Sequence, residues 1–129
     1  MTTRLPNGCL SKPRASTMGE RVPDASERLF QQAVMQVARL NQWLAHHGSP
    51  GRYGQHTFTS GEPGWPDLTL VSQRQDGIIY AELKTAKGRL SDAQMVVLAN
   101  LRANGAEVYV WRPADMDAIV ERLARWRKH

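Results

Sequence analysis

Two carboxylates and a lysine stand in this sequence at a spacing that suits metal-assisted chemistry. Asp67 closes the stretch 64–67, and Glu82 and Lys84 follow after one strand, one tight turn and most of a second strand. Glu82 and Lys84 are two residues apart, so in a strand they project from the same face. Asp67 opens the preceding strand, and the two strand ends bring the carboxylates together. Two hard oxygen ligands beside a cation suit Mg²⁺ or Mn²⁺ rather than zinc, as a metal-dependent phosphodiesterase requires.

The residues around this pair favour a functional site. The strand that carries Glu82 is apolar over 78–81, and a charge in such a strand is costly unless it is paired or metal-bound. A basic loop with Lys87 and Arg89 follows the strand, and its charges suit contacts with phosphate. A structural alternative stays open, because Asp beside Pro is common in turns and Glu-x-Lys occurs on many exposed strands.

Length and composition are those of an ordinary soluble domain. The chain has 129 residues, 41% hydrophobic and 22% charged, which is enough for one core. No apolar run approaches the length of a membrane helix, so no membrane partner is expected. The single cysteine, Cys9, excludes an internal disulfide framework, and we expect the reducing cytoplasm. The net charge of +5 favours a polyanion such as nucleic acid, although a merely soluble basic protein can carry the same charge.

Apolar periodicity and turn signals predict an α/β fold in which a mixed sheet is flanked by helices. Residues 1–22 lack this periodicity, and their scattered basic residues predict a flexible basic arm before a domain over 23–129. The predicted order is helix, three strands, helix, strand and helix, over 24–45, 53–60, 67–71, 78–84, 91–104, 107–111 and 115–127. The crossover through the second helix implies parallel pairing of the strands on either side of it.

An ordered set of motifs resembles the VRR-NUC domain, a branch of the PD-(D/E)xK nuclease superfamily, which has the restriction-endonuclease fold. The set comprises Glu27, residues 64–67, 82–84 and 87–91, and Gln94, within a similarity that spans 24–125. The resemblance implies a restriction-endonuclease-like core and a metal-dependent DNA nuclease. By the family pattern Asp67 and Glu82 hold the metal, Lys84 serves the attacking water, and Glu27 and Gln94 complete the site. Glu27 and Gln94 also have capping-box spacing, which is their structural alternative.

Four further residues are candidate DNA contacts, each with a structural alternative. Lys87 and Arg89 suit phosphates, or belong to a plain solvated loop. Trp65 can stack on a base or wedge open a branch, or it packs in the core beside Gly64. His56 belongs to the polar neighbourhood of the site, or it is a hydrogen-bonded strand histidine.

The resemblance also indicates a kind of substrate and an assembly. Small stand-alone members of the family resemble structure-specific endonucleases, including dimers that cut four-way junctions. We therefore expect a homodimeric, Mg²⁺-dependent endonuclease for branched DNA, of which a four-way (Holliday) junction resolvase is one kind. The alternatives are a non-catalytic DNA-binding module on a nuclease fold, and a nickase or restriction-type endonuclease. The intact Asp67, Glu82 and Lys84 argue against the first, and the absence of a long recognition insertion argues against the last.

Overall fold

The computed structural model describes residues 25–48 and 61–125, and the backbone of two short strands between them. In chain order the elements are α1 (Ala25–Leu40), β1 (Trp43–His47), β2 (Gly51–Tyr53), β3 (His56–Phe58), β4 (Leu68–Ser72), β5 (Ile78–Leu83), α2 (Asp92–Ala103), β6 (Glu107–Trp111) and α3 (Met116–Ala124). The predicted arm at 1–22 lies outside the described residues. None of the described helices is long and apolar enough to cross a membrane.

Four strands form one mixed sheet in the spatial order β1-β4-β5-β6. β4 pairs antiparallel with β1 and with β5, whereas β6 pairs parallel with β5 after the crossover through α2. This confirms the predicted α/β class, the mixed sheet and, for the sheet and its helices, the order α-β-β-β-α-β-α. β2 and β3 pair with each other in an antiparallel hairpin, which belongs to a second compact unit of the chain.

The first strand of the sheet is a different segment from the predicted one. The first helix ends at Leu40 instead of Ala45, and β1 follows after a tight turn. Gln42 in that turn has a φ of 66°, a conformation through which an α-helix does not continue. Trp43 is buried at the start of β1, and its indole N–H donates to the carbonyl of Leu123 at 2.9 Å. Pairing with β4 and burial of this indole therefore override the helical spacing of the apolar residues.

Because β1 takes this place in the sheet, the predictions for the strand at 53–60 and for the inner face of the first helix are also wrong. The predicted strand at 53–60 overlaps the separate hairpin rather than the four-stranded sheet. The helical spacing of Leu29, Ala33, Val37 and Leu40 predicts an apolar stripe on the inner face of the first helix. In the structure Leu29 and Leu40 are 66% and 73% exposed, whereas Val34 and Ala38 are buried. The inner face of α1 is set by its packing against β1 and α3, which periodicity alone does not specify.

One face of the sheet carries the hydrophobic core. Alternate residues of β4 and β5 turn to this face, where they meet side chains from α1 and α3. The buried set is Val34, Ala38, Trp43, Leu68, Leu70, Ile79, Ala81, Trp111, Ile119 and Leu123. Glu82 follows Ala81 in β5 and therefore faces the other side, where Gln94 of α2 contacts it. The core fixes β5 in register while Glu82 projects away from it.

A buried ion cluster lies at the opposite end of the sheet from the start of β4. Arg122 of α3 donates at 2.9 Å both to Asp76, in the turn between β4 and β5, and to Glu107, at the start of β6. Its guanidinium also lies 5.2 Å from the centre of the Trp43 ring. Arg122 is 5% exposed, so these partners compensate the cost of removing its charge from water.

Candidate active site

The stretch before β4 packs directly on the first turn of α2, and this contact requires a glycine. Gly64 has a φ of 86°, a conformation that residues with a Cβ atom rarely adopt. A Cβ atom here would lie 2.5 Å from the carbonyl carbon of Ala93 and 2.7 Å from the backbone nitrogen of Gln94. The backbones therefore touch, and this contact sets the position of Asp67 relative to Gln94.

Asp67 lies immediately before β4 and is tied to the end of β5. Its Oδ2 atom accepts a hydrogen bond from the backbone N–H of Leu83, at 2.9 Å. Its carbonyl oxygen accepts from the backbone N–H of Gly48, at 3.0 Å. Because Leu83 is the residue after Glu82, the first of these bonds brings the two carboxylates together at one end of the sheet.

Glu82 is a buried carboxylate with an unusual set of partners. Glu82 is 2% exposed, and its Oε2 atom accepts from the Nε2 of Gln94 at 2.9 Å and lies 3.8 Å from the Nζ of Lys84. Its Oε1 atom is buried and has no hydrogen-bond partner among the described residues. Burial, and next the neighbouring Asp67 carboxylate, raise the pKa of Glu82 to about 8. A buried acceptor without a partner requires an explanation, and either a proton shared with the Asp67 carboxylate or a bound cation supplies one.

Gln94 combines the two roles that the sequence left as alternatives. Ser91 is the N-cap of α2, and its Oγ atom accepts from the backbone N–H of Gln94 at 3.1 Å. The carboxamide oxygen of Gln94 in turn accepts from the backbone N–H of Ser91 at 2.8 Å, which completes a capping box. The carboxamide nitrogen is thereby aimed at Glu82, so one side chain caps the helix and orients the acid.

Lys84 follows β5, where its backbone N–H donates to the carbonyl of Trp111 at 2.9 Å. The loop after it is held by Arg112, whose Nη1 donates to the carbonyls of Thr85 and Gly88, both at 2.7 Å. Arg112 is not recognisable in the sequence as a residue of the site, because its partners are backbone atoms at distant positions, which leave no sequence pattern. Lys87 and Arg89 belong to this loop region and are both exposed.

The remaining predicted site residues are Glu27, Trp65 and His56, and the structure describes each of them to a different extent. Glu27 lies in the first turn of α1 and is half-buried, and its role in the site stays a prediction. Trp65 is 51% exposed and meets the ring of Tyr80 edge to face, so the core alternative for Trp65 is wrong. The backbone of His56 lies in β3, but its side chain lies outside the described residues.

The donors present fit a hard divalent cation. Asp67 and Glu82 offer carboxylate oxygens, which Mg²⁺ and Mn²⁺ prefer. The partnerless Oε1 of Glu82 is the atom that a cation would satisfy. Within the described part of the chain no group of three or more His, Cys, Asp and Glu side chains assembles. A metal with two protein carboxylates keeps several waters, as is usual for Mg²⁺.

Comparison with known protein families shows the family to which the chain belongs. The family model described as the VRR-NUC domain matches residues 19–115, which is most of the chain, and the chain therefore belongs to the VRR-NUC family. Membership implies a nuclease of the PD-(D/E)xK type, that is, a phosphodiesterase with DNA as its substrate. Nucleases of this type generally use divalent metals. No curated protein matches the chain significantly.

Proposed function

We propose that the protein is a Mg²⁺- or Mn²⁺-dependent DNA endonuclease that hydrolyses phosphodiester bonds with water. The observation that carries this proposal is Glu82, a carboxylate 2% exposed with one partnerless oxygen, beside the carboxylate of Asp67. A protein that only binds DNA gains nothing from two carboxylates placed where a phosphate must approach, because they repel it.

Each side chain of the site has a proposed task. When bound, the metal ion polarises the phosphate and lowers the pKa of a water molecule. Asp67 and Glu82 hold the ion through their carboxylate oxygens, and Gln94 keeps Glu82 in its orientation. The ammonium of Lys84, 3.8 Å from Glu82, orients the attacking water and offsets the charge that develops on the phosphate. Glu27 is proposed to complete the site.

A cleavage assay with matched variants tests this proposal. Purified protein is incubated with plasmid DNA in Mg²⁺, Mn²⁺ or EDTA, and we expect strand breakage only with a metal. Asp67→Asn, Glu82→Gln and Lys84→Met preserve size, and each should slow cleavage by about 100-fold or more. Glu121→Gln removes an exposed carboxylate on α3 and is the control. Full-rate cleavage in EDTA, or near-normal cleavage by Glu82→Gln, would refute the proposal; DNA binding without cleavage would favour a binding module.

Lys87 and Arg89 are proposed to contact the phosphates on either side of the cut. Both are exposed on the loop that follows Lys84, so they are available to a phosphate backbone. Replacing each by Ala should lower the slope of log K against log salt by about 0.9 on duplex DNA. Arg102→Ala, which removes an exposed arginine from the last turn of α2, is the control. An unchanged slope would assign the pair to a solvated loop.

Branched DNA and a homodimer remain proposals that draw on the small stand-alone members of the family. In support of a homodimer, α1 exposes Leu29 and Leu40, and Leu40 lines a groove together with Met35, Gln36 and Arg39. Burial of such leucines between two copies is favourable, and a two-fold dimer matches a two-fold symmetric junction. Trp65 and His56 are the remaining proposed DNA contacts.

The dimer has its own test. Leu40→Glu should shift the protein from dimer to monomer in light scattering and lose paired incision of four-way junctions. Val120→Glu, at a half-exposed position of α3, should not. A wild-type monomer at micromolar concentration that cuts duplex and junction equally would refute dimer and junction preference together, and would leave the nuclease assignment intact.

A further inference from the structure

We propose that Trp65, supported by Tyr80, is a stacking platform for one unpaired DNA base next to the phosphodiester that is cut. This inference rests on the proposed nuclease function and adds to it the feature of the DNA that the site recognises. The observations behind it are the exposure of Trp65, the rigidity of its surroundings and its position beside both carboxylates.

Trp65 presents a large aromatic surface to solvent. Its side chain is 51% exposed, although an indole is among the most favourable side chains to bury. The ring is not loose, because it meets Tyr80 edge to face with centroids 6.4 Å apart and an interplanar angle of 90°. This T-shaped contact uses the edge of one ring against the face of the other, a stable arrangement for two aromatic rings.

The backbone that carries Trp65 is fixed on both sides. Gly64 touches the first turn of α2 so closely that no side chain fits between them. Pro66 is buried and restricts its own φ, and Asp67 is bonded to the end of β5. An aromatic ring on such a support is already ordered before a ligand arrives, so binding costs less conformational entropy.

The platform is continuous with the proposed catalytic site. Trp65 is two residues from Asp67, and Tyr80 is two residues from Glu82 in β5, on the same face of the sheet. Tyr80 and Glu82 are two residues apart along β5, which spans about 7 Å, and Trp65 contacts Tyr80, so a base on Trp65 belongs to a nucleotide near the cut. Thr69 is the cross-strand neighbour of Tyr80, and it is half-buried on that face. Lys84 at the end of β5 attracts the phosphate that follows.

The chemistry of the platform favours an unpaired base over a paired one. In a continuous duplex the faces of the bases are covered by their neighbours, and only base edges are accessible. A base whose face is free occurs at branches, flaps, nicks and ends, and aromatic side chains bind such bases with little sequence preference. The platform would therefore distinguish interrupted from continuous DNA without reading the sequence.

A double-mutant cycle between protein and DNA tests this inference. Binding of the full chain to two labelled branched DNAs is measured by fluorescence anisotropy in EDTA. The DNAs differ only at one unpaired nucleotide beside the branch, which is normal in one and abasic in the other. Loss of the base should weaken wild-type binding about 5- to 150-fold. It should have little effect on Trp65→Ala, because the platform is already gone. Trp65→Phe should retain part of the effect.

The controls separate stacking from folding and from catalysis. Ile78→Ala removes a half-exposed apolar side chain from the same face of β5 and should leave the abasic effect unchanged. Thermal melting confirms that Trp65→Ala is folded. If Trp65→Ala and wild type respond equally to loss of the base, the platform is refuted, while Mg²⁺-dependent duplex cleavage still supports the nuclease. If wild type cleaves no DNA with Mg²⁺, the nuclease proposal fails whatever the binding result.

Discussion

Gly64→Ala is the perturbation that tests most directly how the site is assembled. A methyl group at this position would lie 2.5 Å from the carbonyl carbon of Ala93, whereas ordinary contacts begin at 3.4 Å. The start of α2 and the stretch before β4 must then separate by most of 1 Å. That separation would move Gln94 away from Glu82, because Gln94 is in the first turn of α2.

The chain contains a matched control for this substitution. Gly105, just after α2, has a φ of 88°, almost the same as Gly64, but a Cβ atom there would meet nothing within 4 Å. Gly105→Ala should therefore lower the free energy of unfolding only through its unfavourable backbone conformation, by about 1–2 kcal/mol. Gly64→Ala should lower the free energy of unfolding by the same amount and by about 1–3 kcal/mol more, because the added methyl group overpacks the contact with α2. The difference between the two variants isolates the contact with α2.

Two measurements check this prediction. Urea unfolding in EDTA gives the free energy of unfolding of each variant, and the rate of Mg²⁺-dependent cleavage gives the effect on the site. A displacement near 1 Å costs about 100-fold in rate when it affects catalytic positioning, so Gly64→Ala should be strongly impaired and Gly105→Ala nearly normal. Equal destabilisation of the two variants would show that the packing of Gly64 on α2 is not tight, and the argument for assembly through this glycine would be refuted.

Three further predictions concern the charged side chains of Glu82, Arg122 and Arg112, of which the first two are buried and the third is half-buried. The raised pKa of Glu82 means that the folded, metal-free protein binds a proton more tightly than the unfolded chain, so stability should fall as pH rises from 4.5 to about 8. Urea unfolding in EDTA should show a loss of a few kcal/mol over this range, and Glu82→Gln should abolish the slope. Arg122→Ala removes the guanidinium that donates to the buried carboxylate of Asp76 and to that of Glu107, and should cost about 3–5 kcal/mol in the same assay; a loss below about 1 kcal/mol would contradict this. Arg112→Ala should strongly reduce the rate of DNA cleavage while it changes the free energy of unfolding little. Arg112→Lys should restore part of the rate, because one ammonium can donate to both carbonyls that Nη1 now bonds. Equal cleavage rates for the two variants would contradict this prediction.

Local signals in the sequence predicted much of the sheet and of the candidate site. The capping box of Ser91 with Gln94 begins α2 as expected, and the predicted strand at 107–111 is β6 to the residue. The turn between β4 and β5 also lies where the sequence indicates it, with Gly77 at a φ of 124°. These predictions are confirmed because each feature depends on residues that are close together in the sequence, where capping residues, turn residues and alternating apolar residues can be recognised. The alternation in β5 likewise placed Glu82 and Lys84 on one face.

Other features depend on partners that are distant in the chain. Trp43 begins a strand rather than extending a helix because its ring is buried and bonded to Leu123, 80 residues away. Arg112 and Arg122 are ordinary basic residues in the sequence. In the structure Arg112 holds the loop after Lys84, and Arg122 joins α3 to the turn between β4 and β5 and to β6. No local pattern predicts these roles, since the atoms that the arginines bind become neighbours only when the sheet has formed.

The sequence by itself determined the identity of the chemical groups: two carboxylates, a lysine and a glutamine in a family-specific order, on an α/β framework. The tertiary structure decided the burial, the hydrogen-bond partners and the relative positions of these groups. Burial against α2 left Glu82 with one oxygen lacking a partner and raised its pKa, and the close packing of Gly64 set where α2 begins relative to Asp67. The physical reason is that residue types fix what a site can do, whereas burial and distance, which fix how strongly the groups interact, arise only from packing.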